Sequence, residues 1–363
     1  MRARLRENWN RLNGRDRIAG IDLARGLAVI GMFAAHLLAN ADQFVWAEPA
    51  TWSAIVDGRS SILFATLAGV SIGLVTGGAV PLTGTRMMVT RWKLVLRGLM
   101  LLALGILLIL TGVPVYVILP AYAILFLLAL PFTGWPARSV LWAAAGTAIV
   151  MPFIQPVLDA LPVWGSLFGE ELDAGIGWHY PFTVWIAFVL AGLGTARAGI
   201  VRATVQVRLL VVGSVLAAIG YGLAEVPPPT TDAYWWTVWS AQPHSSGLLE
   251  VIGSGGFAMA VIGACLLMCR MRWVKAIMLP LRAVGAMPLT AYTVQLVVWA
   301  VVALLLLGDP SDLTGFVALE PFWPMTIGIV LGCTAWALLI GRGPLEWLLE
   351  RGTRPVGMEL TRR

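Results

Sequence analysis

Long apolar stretches separated by short polar loops constrain this sequence more than any other feature. Ten stretches approach the length of about 20 residues that an α-helix needs to cross a bilayer. Of all residues, 59% are hydrophobic and only 12% are charged, whereas about a quarter are charged in a soluble globular protein. The sequence therefore predicts an all-α, polytopic integral membrane protein. We place its spans at residues 18–40, 60–80, 92–112, 115–133, 139–160, 181–199, 205–225, 248–269, 283–307 and 321–341.

The charges in the loops predict the orientation of these spans. Basic residues cluster in every second loop, and the positive-inside rule places such loops in the cytoplasm. The loops between them are acidic, and Arg59 is their only basic residue. Both termini are therefore predicted to be cytoplasmic tails, at 1–17 and 342–363, around a membrane domain at 18–341. The net charge of +6 is explained by these loops, so it does not indicate binding to nucleic acid.

Three titratable side chains, Asp22, Arg25 and His36, lie inside the first predicted span. At 100° per residue they fall within roughly 60° of one another on one helical face, with Arg25 and His36 roughly 16 Å apart along the axis. A polar stripe of this length cannot face lipid, and charged groups in a span indicate function by default. Asp22 and Arg25 are also compatible with a structural ion pair. His36, near the predicted outer end, is a candidate general base.

A second candidate group precedes the eighth span, where His244 and Glu250 belong to one predicted outer loop and helix start. Both side chains have acid–base chemistry and are candidates for catalysis. The alternative is a capped helix start, with Ser246 as the N-cap and Glu250 in the first turn beside the positive end of the helix dipole. The sequence leaves both interpretations open.

Two further outer segments carry candidates for binding a substrate. Asp57 and Arg59 precede the second span, where Arg59 departs from the charge pattern and could hold an anion or pair with Asp57. The alternative is an N-cap formed by Asp57. His179 precedes the sixth span and is either an interfacial residue or a contact to substrate.

A basic cluster lies on the predicted inner side, between the second and third spans. Membrane topology and contact with anionic lipids would explain these charges by themselves, and a nucleotide phosphate would use the same charges. The three cysteines lie in apolar runs and are interpreted as buried, reduced thiols. No metal-ligand spacing is evident, so no metal is expected. The basic cluster between the second and third spans consists of Arg86, Arg91, Lys93 and Arg97.

The first span carries a family resemblance. Its pattern R-x4-D-x2-RG-x9-H resembles the first helix of two branches of transmembrane acyltransferases. One branch is the acyltransferase-3 type, which acetylates surface sugars; the other holds the YeiB-like bacterial proteins and the heparan-α-glucosaminide N-acetyltransferases. Three more stretches are similar to the second branch, so the resemblance covers nearly the whole chain. They are DGRSSILFATLAGVSIGL at 57–74, PHSSGLLEVIGSGG at 243–256 and GRGPLEWLLERGTR at 341–354.

The resemblance implies a bundle of ten or eleven helices in which a histidine aids acyl transfer. Acyl-CoA would enter from the cytoplasm and the acceptor from the opposite side. One departure is that the lysosomal enzymes carry asparagine at the position of His36. The expected site residues are His36, His244 and Glu250 for catalysis, Asp22, Arg25, Arg86, Arg91, Lys93 and Arg97 for the acyl-CoA, and Asp57, Arg59 and His179 for the acceptor.

These observations predict a multi-pass plasma-membrane acyltransferase. It would move an acyl group, with acetyl as the first expectation, from cytoplasmic acyl-CoA to an extracytoplasmic sugar, glycolipid or amine. The alternative is a transporter or flippase for a glycolipid or small anion that uses the same polar stripe as a passage. Membrane lipids are expected partners, nucleic acid is not, and a homodimer is left open.

Overall fold

The computed structural model describes residues 2–14, 17–38, 47–228 and 230–360, and all regular secondary structure in these residues is helical. Three short 3₁₀ helices span Pro49–Ile55, Leu130–Gly134 and Pro162–Gly165. In chain order the α-helices are α1 (Arg2–Asn13), α2 (Ala19–Leu37), α3 (Arg59–Val75), α4 (Gly84–Ile109), α5 (Leu119–Ala129), α6 (Ala137–Asp159), α7 (Leu167–Ile176), α8 (Phe182–Arg197), α9 (Ala203–Ala224), α10 (Ala233–Val238), α11 (Leu248–Met268), α12 (Arg272–Ile277), α13 (Leu279–Ala286), α14 (Pro288–Leu307), α15 (Leu313–Ala318), α16 (Phe322–Leu339) and α17 (Pro344–Leu360).

Eight helices in the described part of the chain are long and apolar enough to cross a membrane. Two shorter apolar helical segments, Leu119–Gly134 and Phe182–Arg197, lie where the fourth and sixth spans were predicted. The prediction of an all-α, polytopic bundle is confirmed. The count of ten spans and the cytoplasmic location of both termini stay predictions.

All ten predicted spans differ from the observed helices at one or both ends. The third was predicted at 92–112, whereas α4 spans Gly84–Ile109, so Arg86 and Arg91 lie on a helix and not in a loop. The first was predicted to reach Asn40, whereas α2 ends at Leu37 and residues 39 and 40 lie outside the described residues. The ninth was predicted as one helix over 283–307, but the chain breaks at Met287, which has φ −140° and ψ 55°. Proline lacks a backbone N–H and disfavours a helical conformation of the residue before it, so Pro288 can begin α14 but cannot continue α13.

The chain forms two compact units. In the first, α13 packs along α2, and α14 and α16 contact α2 as well. A Cβ atom added at Gly26 would meet the backbone carbonyl of Leu281, and one added at Gly285 would meet that of Asp22. Small residues at this crossing let two helix backbones approach closely, which fixes α2 against its neighbour. This unit comprises Met1–Phe64, Leu107–Val115 and Ala264–Arg351.

The second unit is built around α8, whose residues from Val184 onward are almost all buried and which packs against α5 and α6. Arg197, at the end of α8, is 3% exposed. Its guanidinium donates hydrogen bonds to the carbonyl oxygens of Gly73, Gly78 and Thr133 at 2.9, 2.5 and 2.5 Å. This arginine ties the loop after α3 and the turn after α5 to α8. The unit comprises Ala65–Ile106, Tyr116–Gly263 and Gly352–Arg363.

Helices also form in segments that were predicted as tails or loops. α1 and α17 lie largely in the predicted tails, and α7 and α10 lie in loops that were predicted to be on the outer side. α1 packs against α16, where Asn8 Nδ2 donates to the carbonyl oxygen of Leu338 at 3.0 Å. The proposed domain boundaries at 17/18 and 341/342 stay predictions.

Candidate active site

At the N-terminal end of α2, the polar stripe is an ion cluster around Asp22, which is 3% exposed. Arg17 donates to both carboxylate oxygens, with Nε 2.5 Å from Oδ2 and a terminal nitrogen 3.1 Å from Oδ1. Arg25 approaches Oδ1 at 3.7 Å from the opposite side, one helical turn further on. The carboxylate is therefore balanced by two guanidinium groups, as a buried charge must be. This geometry supports the structural interpretation of Asp22 and Arg25, and their role in binding acyl-CoA stays a prediction.

The other end of the stripe carries His36, which is half-buried on the face of α2 that meets α14. Its Nδ1 lies 3.4 Å from Oε1 of Gln295. Its ring also faces Tyr292, with ring centroids 6.4 Å apart. Both contacts come from α14, so the imidazole faces a neighbouring helix of the first unit.

The polar face of α14 was missed by the sequence analysis. Tyr292, Gln295 and Trp299 follow one another at helical spacing, and all three side chains are almost completely buried. Among the described residues, Nε2 of Gln295 and Nε1 of Trp299 have no hydrogen-bond partner. The sequence did contain a signal for Gln295, because an amide in an apolar span is costly to bury unless it forms hydrogen bonds. The same reasoning that singled out His36 could have identified Gln295.

A carboxylate from the C-terminal segment reaches the same unit. Glu346, in the first turn of α17, accepts hydrogen bonds from the backbone N–H groups of Leu289 and Thr290 at 2.9 and 3.1 Å. It also accepts one from the Thr290 hydroxyl at 2.5 Å. These donors belong to the first turn of α14, so Glu346 caps that helix from outside. Glu346 also interacts electrostatically with Arg25.

In the second unit, Glu250 organises the loop before α11. The side chain is 2% exposed, and its two oxygens accept the backbone N–H groups of His244 and Ser246, both at 2.7 Å. His244 and Ser246 have φ values of 62° and 54°, in the left-handed region that side chains rarely adopt. Of the alternative interpretation, the position of Glu250 in the first turn of α11 is confirmed. The Ser246 hydroxyl does not cap the helix, because this oxygen has no hydrogen-bond partner among the described residues. Glu250 holds the loop instead, and its catalytic role stays a prediction.

The same unit brings together two histidines that the sequence treated separately. The rings of His179 and His244 lie 4.6 Å apart between centroids. His179 stacks on Tyr116 at 3.7 Å, and the Tyr180 hydroxyl donates to the backbone oxygen of Tyr116 at 3.0 Å. Burial raises the pKa of the nearby Asp173 carboxyl, and a hydrogen bond from the backbone N–H of His179 opposes that shift. The result is a compact aromatic and imidazole cluster.

Asp57 and Arg59 lie at the start of α3, in the first unit. Arg59 donates from its guanidinium to the carbonyl oxygen of Ala54 at 2.8 Å, and its backbone N–H donates to the carbonyl oxygen of Asp57 at 2.6 Å. These bonds tie the helix start to the preceding 3₁₀ helix. The proposed substrate-binding roles of both residues stay predictions.

A cavity of about 560 Å³ lies in the second unit, beside the beginning of α4 and the turn after α5. Arg91 contributes to its wall, and Nε of Arg91 donates to the Thr133 hydroxyl at 2.9 Å. The indole of Trp92, 53% exposed, lines the same cavity. Arg25 is not among the lining residues. The wall is formed by Leu82, Thr83, Gly84, Met87, Met88, Arg91, Trp92, Val95, Leu130 and Gly134.

The helical geometry of α4 divides the predicted basic cluster. Arg86, Lys93 and Arg97 lie within roughly 40° of one another around the helix, whereas Arg91 lies roughly 140° away from Arg86. The structure accordingly places Arg91 alone of the four on the cavity wall. The role of each residue in binding acyl-CoA stays a prediction.

The fold and these polar sites define a multi-pass, all-α membrane protein with a titratable stripe inside its first long apolar helix. A family model described as "Heparan-alpha-glucosaminide N-acetyltransferase, catalytic" matches residues 17–223, more than half of the chain. The chain therefore belongs to that family, as its sequence motifs predicted, and membership indicates an activity of the membrane acyltransferase type. A second model, "Protein of unknown function (DUF418)", matches residues 195–355. No curated protein matches the chain.

Proposed function

We propose that this protein transfers an acyl group, acetyl in the first instance, from cytoplasmic acyl-CoA to an extracytoplasmic sugar, glycolipid or amine. The observation that carries the proposal is the contact between His36 and Gln295 inside the first unit. A titratable imidazole in an apolar helix, oriented by a buried amide, is what a positioned general base requires. Family membership supports the reaction class.

The amide of Gln295 supports a division of roles between the two imidazole nitrogens. Oε1 is an acceptor, so a hydrogen bond across the 3.4 Å contact requires the neutral tautomer with its proton on Nδ1, and this is the tautomer that we propose. The lone pair is then on Nε2, which is the basic nitrogen. As the acceptor oxygen or nitrogen attacks the thioester carbonyl carbon, Nε2 takes its proton. The C–S bond then breaks, and the imidazolium returns the proton to the departing thiolate to give CoA.

The cavity beside Arg91 supports a site for the nucleotide end of acyl-CoA. The sequence contains no Asp or Glu between Asp57 and Asp159, so carboxylates of this segment do not balance the positive charges of α4. Arginine is well suited to phosphate oxygens, and an exposed indole such as that of Trp92 offers a face on which a base can stack. Arg25 would act differently, by holding the start of α2 through Asp22.

The acceptor is assigned to the opposite side of the membrane. Asp57, Arg59 and His179 are our candidates for its contacts, because they lie in segments predicted to be extracytoplasmic. Hydroxyl and amine groups of a sugar would be recognised by such polar side chains. His244 and Glu250 belong to the same group of candidates.

The test uses the purified protein in detergent with acetyl-CoA. We expect saturable CoA binding, slow release of CoA thiol with water as the acceptor, and faster release with glucosamine added as a probe. A protein that neither binds CoA nor cleaves the thioester would contradict the proposal. Binding without any cleavage would favour the transporter class instead.

A further inference from the structure

Gln295 has a buried hydrogen-bond donor for which the described residues supply no acceptor. Its side chain is 0% exposed, and Oε1 contacts His36. Nε2, on the other side of the same amide, has no partner among the described residues. A buried N–H without an acceptor is destabilising and rare in native structures, so each case calls for an explanation. An acceptor atom on a bound molecule would satisfy this donor.

The surroundings restrict what that acceptor can be. Gln295 lies on α14, between Tyr292 one turn before it and Trp299 one turn after it, in a helix that contains no charged residue. The group that it already contacts is His36, the base of the proposed transfer. A molecule that satisfies Nε2 therefore presents an oxygen close to the imidazole. The thioester carbonyl of an acyl donor presents such an oxygen.

We infer that Nε2 of Gln295 donates a hydrogen bond to the carbonyl oxygen of the acyl donor and to the oxyanion that forms from it. This inference rests on the proposed acyl transfer. When the acceptor attacks the carbonyl carbon, the π electron pair moves onto the oxygen beside Nε2. When the tetrahedral intermediate collapses, that pair re-forms the carbonyl and the C–S bond breaks.

One amide then serves two groups of the reaction. Oε1 holds the proton of His36 Nδ1, and Nε2 faces the developing negative charge. A donor that is already buried and unpaired requires no reorganisation when the charge appears, which is how oxyanion holes stabilise transition states. It also fixes the base relative to the carbonyl carbon, since both are positioned by the same planar group.

The test compares Gln295→Glu and Gln295→Met with Thr293→Val. Glutamate keeps an oxygen for His36 but, when ionised, cannot donate; methionine has neither group. Thr293 also has a buried hydroxyl oxygen without a partner among the described residues, but it lies roughly 160° away around the helix. We expect kcat for acetyl-CoA cleavage to fall by about 10²–10³ in both Gln295 variants. CoA affinity should stay at the wild-type value, and Thr293→Val should retain wild-type turnover.

A second measurement uses the wild-type protein, so it does not depend on whether the Gln295 variants fold. With isotope-labelled acetyl-CoA bound to the wild type, the carbonyl stretch should move to lower frequency than in water-free solvent, because a hydrogen bond weakens that double bond. A wild type that cleaves acetyl-CoA while showing no such shift, or a folded Gln295→Glu with wild-type kcat, would overturn the inference alone. A wild type that cleaves no thioester at all would overturn the proposed function, and this inference with it.

Discussion

Asp22 and His36 share one face of α2 but have different structural roles. Asp22 is almost completely buried and is bonded to Arg17, with Arg25 nearby. Removing one member of a buried ion cluster leaves a charge uncompensated, so this end of the stripe is needed for folding. His36 is half-buried, and its contact with the neutral amide of Gln295 is long, at 3.4 Å. The end of the stripe that carries His36 is therefore the part where function can change while the fold persists.

His36→Ala should separate acyl transfer from cofactor binding. A positioned general base contributes about 10²–10⁴ in rate, so turnover should fall by that order. CoA binding should persist, because the cavity at Arg91 does not include His36. The measurement is turnover of acetyl-CoA and CoA affinity in detergent.

The matched control for this histidine is His244→Ala. It removes the other proposed catalytic imidazole, whose backbone N–H is held by Glu250 independently of the ring. We expect a smaller loss of turnover than in His36→Ala. A well-folded His36→Ala protein with full activity would remove this residue from the mechanism, and His244 would become the candidate base.

The candidate site could be predicted from the sequence only where charge patterns are local. Asp22, Arg25 and His36 stood out because titratable groups are rare in apolar helices. The contact between His36 and Gln295 joins residues 259 positions apart, and no local spacing encodes such a pair. Glu346 was missed for the same reason, since its partners lie on another helix, 56 and 57 positions away. The proximity of His179 to His244 likewise arises from packing alone.

At the scale of helices, the break at Met287 leaves backbone N–H groups at the start of α14 without acceptors in their own helix, and α17 supplies the acceptor. The first backbone N–H groups of a helix have no partner within it. Glu346 satisfies two of them and also binds the Thr290 hydroxyl. The first turn of α17 is therefore an integral part of the first unit, since it caps the helix that carries Gln295.

Glu346→Ala should destabilise the protein. Loss of a helix cap and of charge-assisted hydrogen bonds costs about 1–2 kcal/mol, so thermal unfolding in detergent should occur at a lower temperature. Glu350→Ala is the control on the same helix, because Glu350 forms an ion pair with the exposed Arg342. Such a pair contributes about 0–1 kcal/mol. Equal shifts in the two variants would argue against the capping role.

The two faces of α4 predict different effects of removing a positive charge. Arg91 lines the cavity, whereas Arg86 is exposed on another face. A hydrogen bond to a charged group contributes about 1.5–3 kcal/mol, so Arg91→Ala should weaken CoA binding by about tenfold or more. Arg86→Ala should have little effect. Calorimetric titration with CoA at two salt concentrations checks both, and the same loss in both variants would count against a specific phosphate site.

The helices themselves could be predicted well, because hydropathy and length determine them. Their ends could not, because ends depend on single residues such as Pro288 and on contacts with other helices. α1 and α17 were missed because they are too polar to read as spans, and α17 makes its contacts with distant residues. The pattern of apolar and polar residues predicts which segments are buried in a bilayer, but it does not predict which polar segments pack against them.

For the whole molecule, the number of spans depends on whether the two 16-residue apolar segments cross the membrane. Leu119–Gly134 and Phe182–Arg197 would each be roughly 24 Å long as ideal helices, which is short for a hydrocarbon core of about 30 Å. Eight spans and ten spans both give an even number, so the location of the C-terminus cannot distinguish them. The loops on either side of each short segment can. Their charges favour crossing, because basic residues follow each segment and acidic residues precede the second.

Cysteine labelling of intact cells with a membrane-impermeant maleimide tests this prediction. The three native cysteines are buried, so we expect the maleimide to label only the introduced cysteine. Pro114→Cys and Arg138→Cys flank the first short segment, Glu171→Cys and Arg202→Cys flank the second, and all four positions are exposed. If both segments cross, Pro114→Cys and Glu171→Cys react in intact cells, whereas Arg138→Cys and Arg202→Cys react only after permeabilisation. Two positions of one pair that react from the same side would show that their segment does not cross, and the ten-span topology would then be wrong.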